Sequence, residues 1–276
     1  MIPRALTIAG SDSCGGAGLE ADLKTFAALG VYGACAVTAV TAQNSRGVAG
    51  SWEVPAAVVA QQIDAVLDDV GADAIKTGML SSAAVVEVVS ERLAAHAACN
   101  CRPRSAAVRS TAAPYVVVDP VIVAKDGTHL LTDDGVRAMR EKLLPQALLV
   151  TPNAPEAEAL TGVAVTGRDG AARAARALVA LGAKAALVKG GHLPGAAVDI
   201  LWDGQEERAF EHPRLPGPPV HGTGCVLSAA IAAYLARGEH LVGAIAKARE
   251  FLQNALVETF STGGNFNLFA PFRAED

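Results

Sequence analysis

A mostly parallel central sheet with helices on both faces, an α/β fold, is predicted by three observations. Apolar runs alternate with helical patterns along the 276 residues, and almost every run closes on a glycine or a polar residue. Hydrophobic residues reach 51% while aromatics supply only 4%, so the core is built of Ala, Val and Leu. That mix packs helices closely on a sheet, and strand–helix alternation implies parallel strands joined by crossover helices. No repeat or sharp linker divides the chain, so one domain over residues 1–276 is expected.

Strand-like runs come in order. Leu6 to Ala9 ends at Gly10, Ala34 to Ala39 ends near Gln43, and Ala74-Ile75 leads to Gly78. Tyr115 to Val118 ends at Asp119, Leu148 to Val150 at Asn153, and Ala185 to Val188 at Lys189. Helices are expected near 17–29, 55–69, 81–96, 132–144, 168–181 and 240–260, and Val226 to Leu235 reads as one more. Pro55 suits a first helical turn, and Thr166 with Asp169 resembles a capping box. Val198 to Trp202 and Glu207 to Phe210, separated by Asp203-Gly204, read as a hairpin. Residues 97–113 lack periodicity and are expected to be a solvent-exposed, flexible insertion.

The charge balance excludes some partners. With 23 basic against 28 acidic residues the net charge is −5, which offers no general attraction to nucleic acid or to an anionic membrane. The N-terminus lacks a secretory pattern and no apolar run is long enough to span a bilayer, so a cytoplasmic protein is expected. Five cysteines are read as reduced thiols. Cys99 and Cys101 lack further ligands at zinc spacing, which argues against a zinc site.

In a parallel sheet, ligands bind beyond the carboxyl ends of the strands. Gly10, Gln43, Gly78, Asp119, Asn153 and Lys189 all follow apparent strands and are expected to converge there. His221-Gly222-Thr223-Gly224-Cys225 is a glycine-rich turn opening a helix, whose unpaired N–H groups and dipole suit a phosphate. Cys225 in that field is expected to have a thiol pKa below its free value of about 8.5, fit for a base, nucleophile or metal ligand; a buried cysteine after a turn explains it too. Lys189, before two glycines, offers a point charge to a phosphate or is a solvated turn residue. Asp119, Asn153 and Glu156 offer oxygen to Mg²⁺ through water, with helix or turn capping as the competing reading.

The loop from Gly10 to Gly18 lacks the lysine pattern of a P-loop, but its small residues let a ligand approach the backbone. Asp22, one turn inside the next helix, either faces that ligand or sits on a helix surface. Gln43 can give one hydrogen bond to an aminopyrimidine edge and accept another. Met79 either lies against a flat ring or belongs to the core.

The chain resembles the hydroxymethylpyrimidine/phosphomethylpyrimidine kinases of the ribokinase-like superfamily over nearly its whole length. The resemblance rests on Ala9 to Ser13 with Gly15 to Gly18, Thr41-Ala42-Gln43-Asn44, Lys76-Thr77-Gly78-Met79, Asp119-Pro120-Val121, Thr151-Pro152-Asn153, Lys189-Gly190-Gly191-His192 and His221 to Cys225. It implies a cytoplasmic enzyme of thiamine biosynthesis. ATP would be the co-substrate and Mg²⁺ the cofactor, and the enzyme would phosphorylate 4-amino-5-hydroxymethyl-2-methylpyrimidine and then its monophosphate. Cys225 would take the hydroxyl proton, where most sugar kinases of the superfamily have aspartate. Gly222, Thr223 and Gly224 would hold the transferring phosphoryl group, with Lys189 neutralising charge. Gln43 would read the pyrimidine in a pocket lined by Gly10, Asp22 and Met79, while Asp119, Asn153 and Glu156 would serve magnesium and the triphosphate. A homodimer is also implied. Ile122 and Asp126 depart from the family pattern, which bears on flap and nucleotide contacts. The alternatives are a pyridoxal kinase of the same superfamily and a non-catalytic pyrimidine sensor.

Overall fold

The computed structural model describes residues 2–98, 113–124, 127–191 and 197–269. From the N-terminus come β1 (Arg4–Ala9), α1 (Gly18–Ala28), β2 (Tyr32–Val37), a hairpin of β3 (Ala39–Asn44) and β4 (Gly47–Glu53), α2 (Ala56–Ala65) and β5 (Ala74–Thr77). Next are α3 (Ala83–Ala98), β6 (Tyr115–Val118), α4 (Asp133–Ala138), β7 (Leu149–Val150), α5 (Ala154–Thr161), α6 (Arg168–Ala180) and β8 (Ala186–Val188). β9 (Ala197–Trp202), β10 (Glu207–His212), α7 (Thr223–Ala236), α8 (Leu241–Val257), β11 (Thr259–Phe260) and β12 (Leu268–Phe269) complete the order.

Eight strands form one sheet in the order β10-β9-β8-β7-β6-β5-β1-β2. β2 to β8 of that row pair parallel through β1, β5, β6 and β7, whereas the β8–β9 and β9–β10 pairings are antiparallel, so β9 alone runs against the other strands of this sheet. Alternation along the strands divides the core in two, because successive side chains point to opposite faces. Leu6, Ile8, Val116 and Val118 meet Val59 and Ile63 of α2, Val86 and Val89 of α3, and Leu160 and Leu178 of α5 and α6. Ala5, Val117 and Leu149 meet Phe26 of α1, Val226 and Ile231 of α7, and Ile245 of α8. α7 is covered almost all round, which its alanines allow and its uniformly apolar sequence requires.

The expected elements fall close to their predicted ranges, with three differences. The strand read near Ala34 to Ala39 splits: β2 stays in the central sheet, and the chain turns out at Thr38 into the separate β3–β4 hairpin. Gln43 therefore sits inside a hairpin strand and does not follow a strand of the main sheet. Gly167 caps α6 with no side-chain bond, so Thr166 and Asp169 form no capping box. Pro55 stands one residue outside α2, at its cap. Most of the 97–113 insertion, together with Cys99, Cys101, Asp126 and His192, lies outside the described residues. Among those residues no helix is long and apolar enough to cross a membrane.

Candidate active site

The carboxyl ends of β1, β5, β6, β7 and β8, the β3–β4 hairpin and the start of α7 enclose a cleft of about 490 Å³. Its lining includes Gly10, Gln43, Met79, Asp119, Asn153, Glu156, Lys189, Gly222, Thr223, Gly224 and Cys225. Eleven of the twelve site residues singled out from sequence thus come together from distant segments. Asp22 does not.

Asp22 is fully buried below the cleft floor, where its carboxylate receives Lys76 Nζ at 2.8 Å and the Thr7 hydroxyl at 2.6 Å. It faces neither ligand nor solvent. Its partner Lys76 does line the cleft, and sequence reasoning gave that lysine no role. The signal was present: a lysine in the middle of Ala74-Ile75-Lys76-Thr77 is a buried charge that demands an acid.

Gly222 opens α7 in a left-handed conformation, φ 81°, and a Cβ there would run into the Gly16 carbonyl oxygen. The two glycine loops therefore lock together, and the first turn of α7 points its N–H groups at the cleft. Cys225 stands in that turn. Its thiol is pushed up to about 11, first by burial, then by the negative charges of Asp22 and Asp119, while Lys76 and the Gly18 N–H pull the other way. The lowered pKa expected from the helix dipole is overturned, because withdrawal from water outweighs it.

Opposite Cys225, Lys189 Nζ donates to Asp119 Oδ1 at 2.9 Å. Asp119 also accepts from Thr151 and Ser228, each at 3.1 Å. Burial opposes its charge, but Lys189 and Lys76 hold its carboxyl below the usual range. Lys189 is held above its ordinary value, burial notwithstanding, by Asp119 and Glu156.

Asn153 and Glu156 form a reciprocal capping box on α5: Asn153 Oδ1 accepts the Glu156 N–H at 2.9 Å, and Glu156 Oε2 accepts the Asn153 N–H at 2.8 Å. The capping reading of Asn153 is thus realised, with one lone pair of Oδ1 engaged by the helix start. Burial pushes the Glu156 carboxyl up to about 7, assisted by Asp119 and opposed by Lys189. Beside Lys189 the cleft offers a hard cation the carboxylates of Asp119 and Glu156, each of which also accepts hydrogen bonds from the protein. That set fits Mg²⁺, which keeps most of its water and takes one or two carboxylates with phosphate oxygens.

At the other end, Met79 Sδ lies where a Cβ on Gly10 would approach to 3.1 Å, so the glycine lets the thioether lie flat on the floor. The hairpin is tied down by Ser13, which bridges the N–H and C=O of Gln43 at 2.8 Å each, and by Thr41, which donates to the Ser11 carbonyl at 2.8 Å. Residues 262–267 strap its turn from outside through Ser45 and Asn265. His221 Nε2 is 2.9 Å from Asp12 Oδ2 and 2.9 Å from the Gln43 amide.

Fold and cleft together define a small-molecule kinase of the ribokinase-like class. The family described as phosphomethylpyrimidine kinase matches residues 12–269, and the chain belongs to that family. A hydroxymethylpyrimidine/phosphomethylpyrimidine kinase of Streptomyces coelicolor is 48% identical over 262 residues, 95% of this chain and 91% of that one. Among solved structures, a Bacillus subtilis pyridoxal kinase in complex with ADP superposes with a TM-score of 0.85 at 34% identity, covering 98% of each chain. A phosphomethylpyrimidine kinase from Clostridium difficile superposes with a TM-score of 0.78 at 37% identity, over 93% of this chain and 100% of the other.

Proposed function

We propose that the protein is an ATP-dependent kinase of thiamine biosynthesis that phosphorylates 4-amino-5-hydroxymethyl-2-methylpyrimidine and then its monophosphate. The observation that carries this reading is the meeting of an amide-bearing ring reader, Gln43, with an anion-binding helix start, Gly222 to Cys225, in one cleft. Phosphoryl transfer needs mainly alignment and charge stabilisation. The amides of Thr223, Gly224 and Cys225 receive the transferring group, and Lys189, steadied by Asp119, neutralises phosphate charge. Mg²⁺, held by Asp119 and Glu156 with water, would offset triphosphate charge. Gly10 and Met79 seat the ring while Gln43 pairs with its edge.

Cys225 receives the hydroxyl proton as thiolate. Because its thiol is pushed up to about 11, that form is scarce near neutrality in the free enzyme. A thiolate base therefore makes the rate rise with pH above neutrality.

The pyridoxal kinase reading is kept because of the 0.85 TM-score to a pyridoxal kinase. ADP release is to be measured with the pyrimidine alcohol, its monophosphate and pyridoxal as separate acceptors. Both pyrimidines are expected to react, and a higher kcat/KM for pyridoxal would overturn the assignment. No ADP release with any of them would return the sensor reading. A homodimer in the cytoplasm completes the proposal. Val40 and Trp52, cross-strand partners on the hairpin, stand 51% and 63% exposed and supply an apolar surface for a second copy.

A further inference from the structure

His221 and Asp12 take no part in the chemistry described so far, yet their contact meets the substrate reader. We propose that the His221–Asp12 pair sets the orientation of the Gln43 carboxamide, turning Oε1 to the imidazole and presenting the –NH₂ to an acceptor nitrogen of the substrate ring. The ring-selecting half of this inference rests on the pyrimidine kinase reading; the orientation half does not.

The hydrogens available to these side chains fix the orientation. Asp12 is 1% exposed and accepts the N–H groups of Cys14, Gly16 and Ala17 at 3.0, 3.1 and 2.8 Å, an environment built for an ionised carboxylate. Burial works against that charge, but the His221 and Cys14 bonds bring its pKa to about 2. An ionised Oδ2 at 2.9 Å requires a proton on His221 Nε2, since two lone pairs would otherwise face each other. That nitrogen then has nothing to accept with, although Gln43 Nε2 faces it at 2.9 Å. On the other side, the Thr41 hydroxyl gives its one hydrogen to the Ser11 carbonyl at 2.8 Å, and has none for Gln43 Oε1 at 3.4 Å. Half a turn of the carboxamide removes both conflicts at once: Oε1 shares the imidazole N–H with Asp12 Oδ2 in a three-centre bond, and the –NH₂ donates to the Thr41 oxygen. One amide hydrogen and one oxygen lone pair remain for the cleft. They match a ring nitrogen beside an exocyclic amino group, and they mismatch a ring offering a donor where the nitrogen should be.

His221 is thus a positioning residue. Its ring packs on Gly16, where an added Cβ would come within 2.8 Å of Cδ2, and it stacks on Phe266 with centroids 6.0 Å apart. His221→Phe keeps that packing and removes the donor, whereas His221→Gln returns an N–H near the Nε2 position. The test pairs kinetics with ¹⁵N NMR of the imidazole, assigned by loss of its signals in His221→Phe. The expected result is the Nε2–H tautomer in the ligand-free enzyme. His221→Phe should raise the KM of the pyrimidine alcohol about tenfold, the cost of one misdirected hydrogen bond, with the KM for ATP within about twofold. His221→Gln should restore the pyrimidine KM, and His221→Phe should add nothing in a Gln43→Ala background. A proton on Nδ1 overturns the proposal, as does an unchanged pyrimidine KM or an equal rise in both KM values. Wild-type enzyme that leaves the pyrimidine alcohol unphosphorylated overturns the ring selection and the substrate reading together; the tautomer then decides the orientation alone.

Discussion

Lys76 and Asp22 form an ion pair with no exposed surface on either side chain, Nζ lying 2.8 Å from Oδ2 and 3.0 Å from Oδ1. The pair joins β5 to α1 beneath the cleft, and its cation sits where the fields of Asp119 and Cys225 also reach. Burial alone would discharge the lysine, but these three partners together raise its pKa. Lys76→Met leaves a buried carboxylate with only the Thr7 hydroxyl, and is expected to cost about 3–5 kcal/mol in urea unfolding. Lys76→Met with Asp22→Leu should recover most of that loss. A double variant no more stable than the single one would show that the pair is not what holds these elements together.

Cys225 gives a kinetic prediction. Since kcat/KM reports the ionisation of the free enzyme, a thiolate base with a pKa of about 11 makes kcat/KM rise with pH throughout the range from neutrality to about 9. The slope should approach about tenfold per pH unit, and Cys225→Ala should lower turnover about 10²-fold or more. A plateau below pH 8, or near-normal turnover of Cys225→Ala, would remove the thiol from the proton transfer.

The two ends of the glycine turn should respond differently to a methyl group. At Gly222 the backbone is left-handed and a Cβ meets the Gly16 carbonyl, so Gly222→Ala is expected to cost about 1–3 kcal/mol of stability as well as activity. At Gly224 the nearest neighbour of a Cβ is the end of the Lys189 side chain and not backbone, 3.3 Å away. Gly224→Ala should keep the fold and raise the KM for ATP. Equal melting temperatures for the two variants would contradict the interlocked loops.

The layered α/β sheet and most of the cleft were legible because both follow from local pattern. Apolar runs such as Tyr115 to Val118 mark buried strands, and the polar residue after each one marks the ligand edge. The β3–β4 hairpin was not legible. Its strands invert the usual pattern, with Val40 and Trp52 exposed and Thr41 buried, so they carry no core periodicity, and its role lies in contacts to Ser11, Ser13 and the distant residues 262–267. Asp22 was misplaced because position on a helix does not say whether a lysine 54 residues away will claim the carboxylate. The direction of the Cys225 shift failed for a related reason: the helix start was visible in the sequence, while the depth of burial that outweighs it was not. Asp12 and His221 were within quoted motifs but had no assigned task, since only their meeting across 209 residues gives them one.

Glu156 links folding to pH. Its carboxyl is pushed from an ordinary 4.5 up to about 7 by burial, so between these values the folded chain holds a proton that the unfolded chain has released. The native state then binds more protons, and stability must fall as pH rises through that window, by on the order of 3 kcal/mol if the whole shift is expressed. Glutamine at this position of a capping box can still accept the Asn153 N–H, so Glu156→Gln keeps the cap and abolishes the titration. Urea unfolding at pH 5 and pH 8 is expected to show the wild type losing more stability than Glu156→Gln between the two. Saturating Mg²⁺ with ATP should reduce the wild-type loss, because a cation beside the ionised carboxylate offsets the charge that burial disfavours. Identical pH slopes in the two proteins would mean that Glu156 ionises normally.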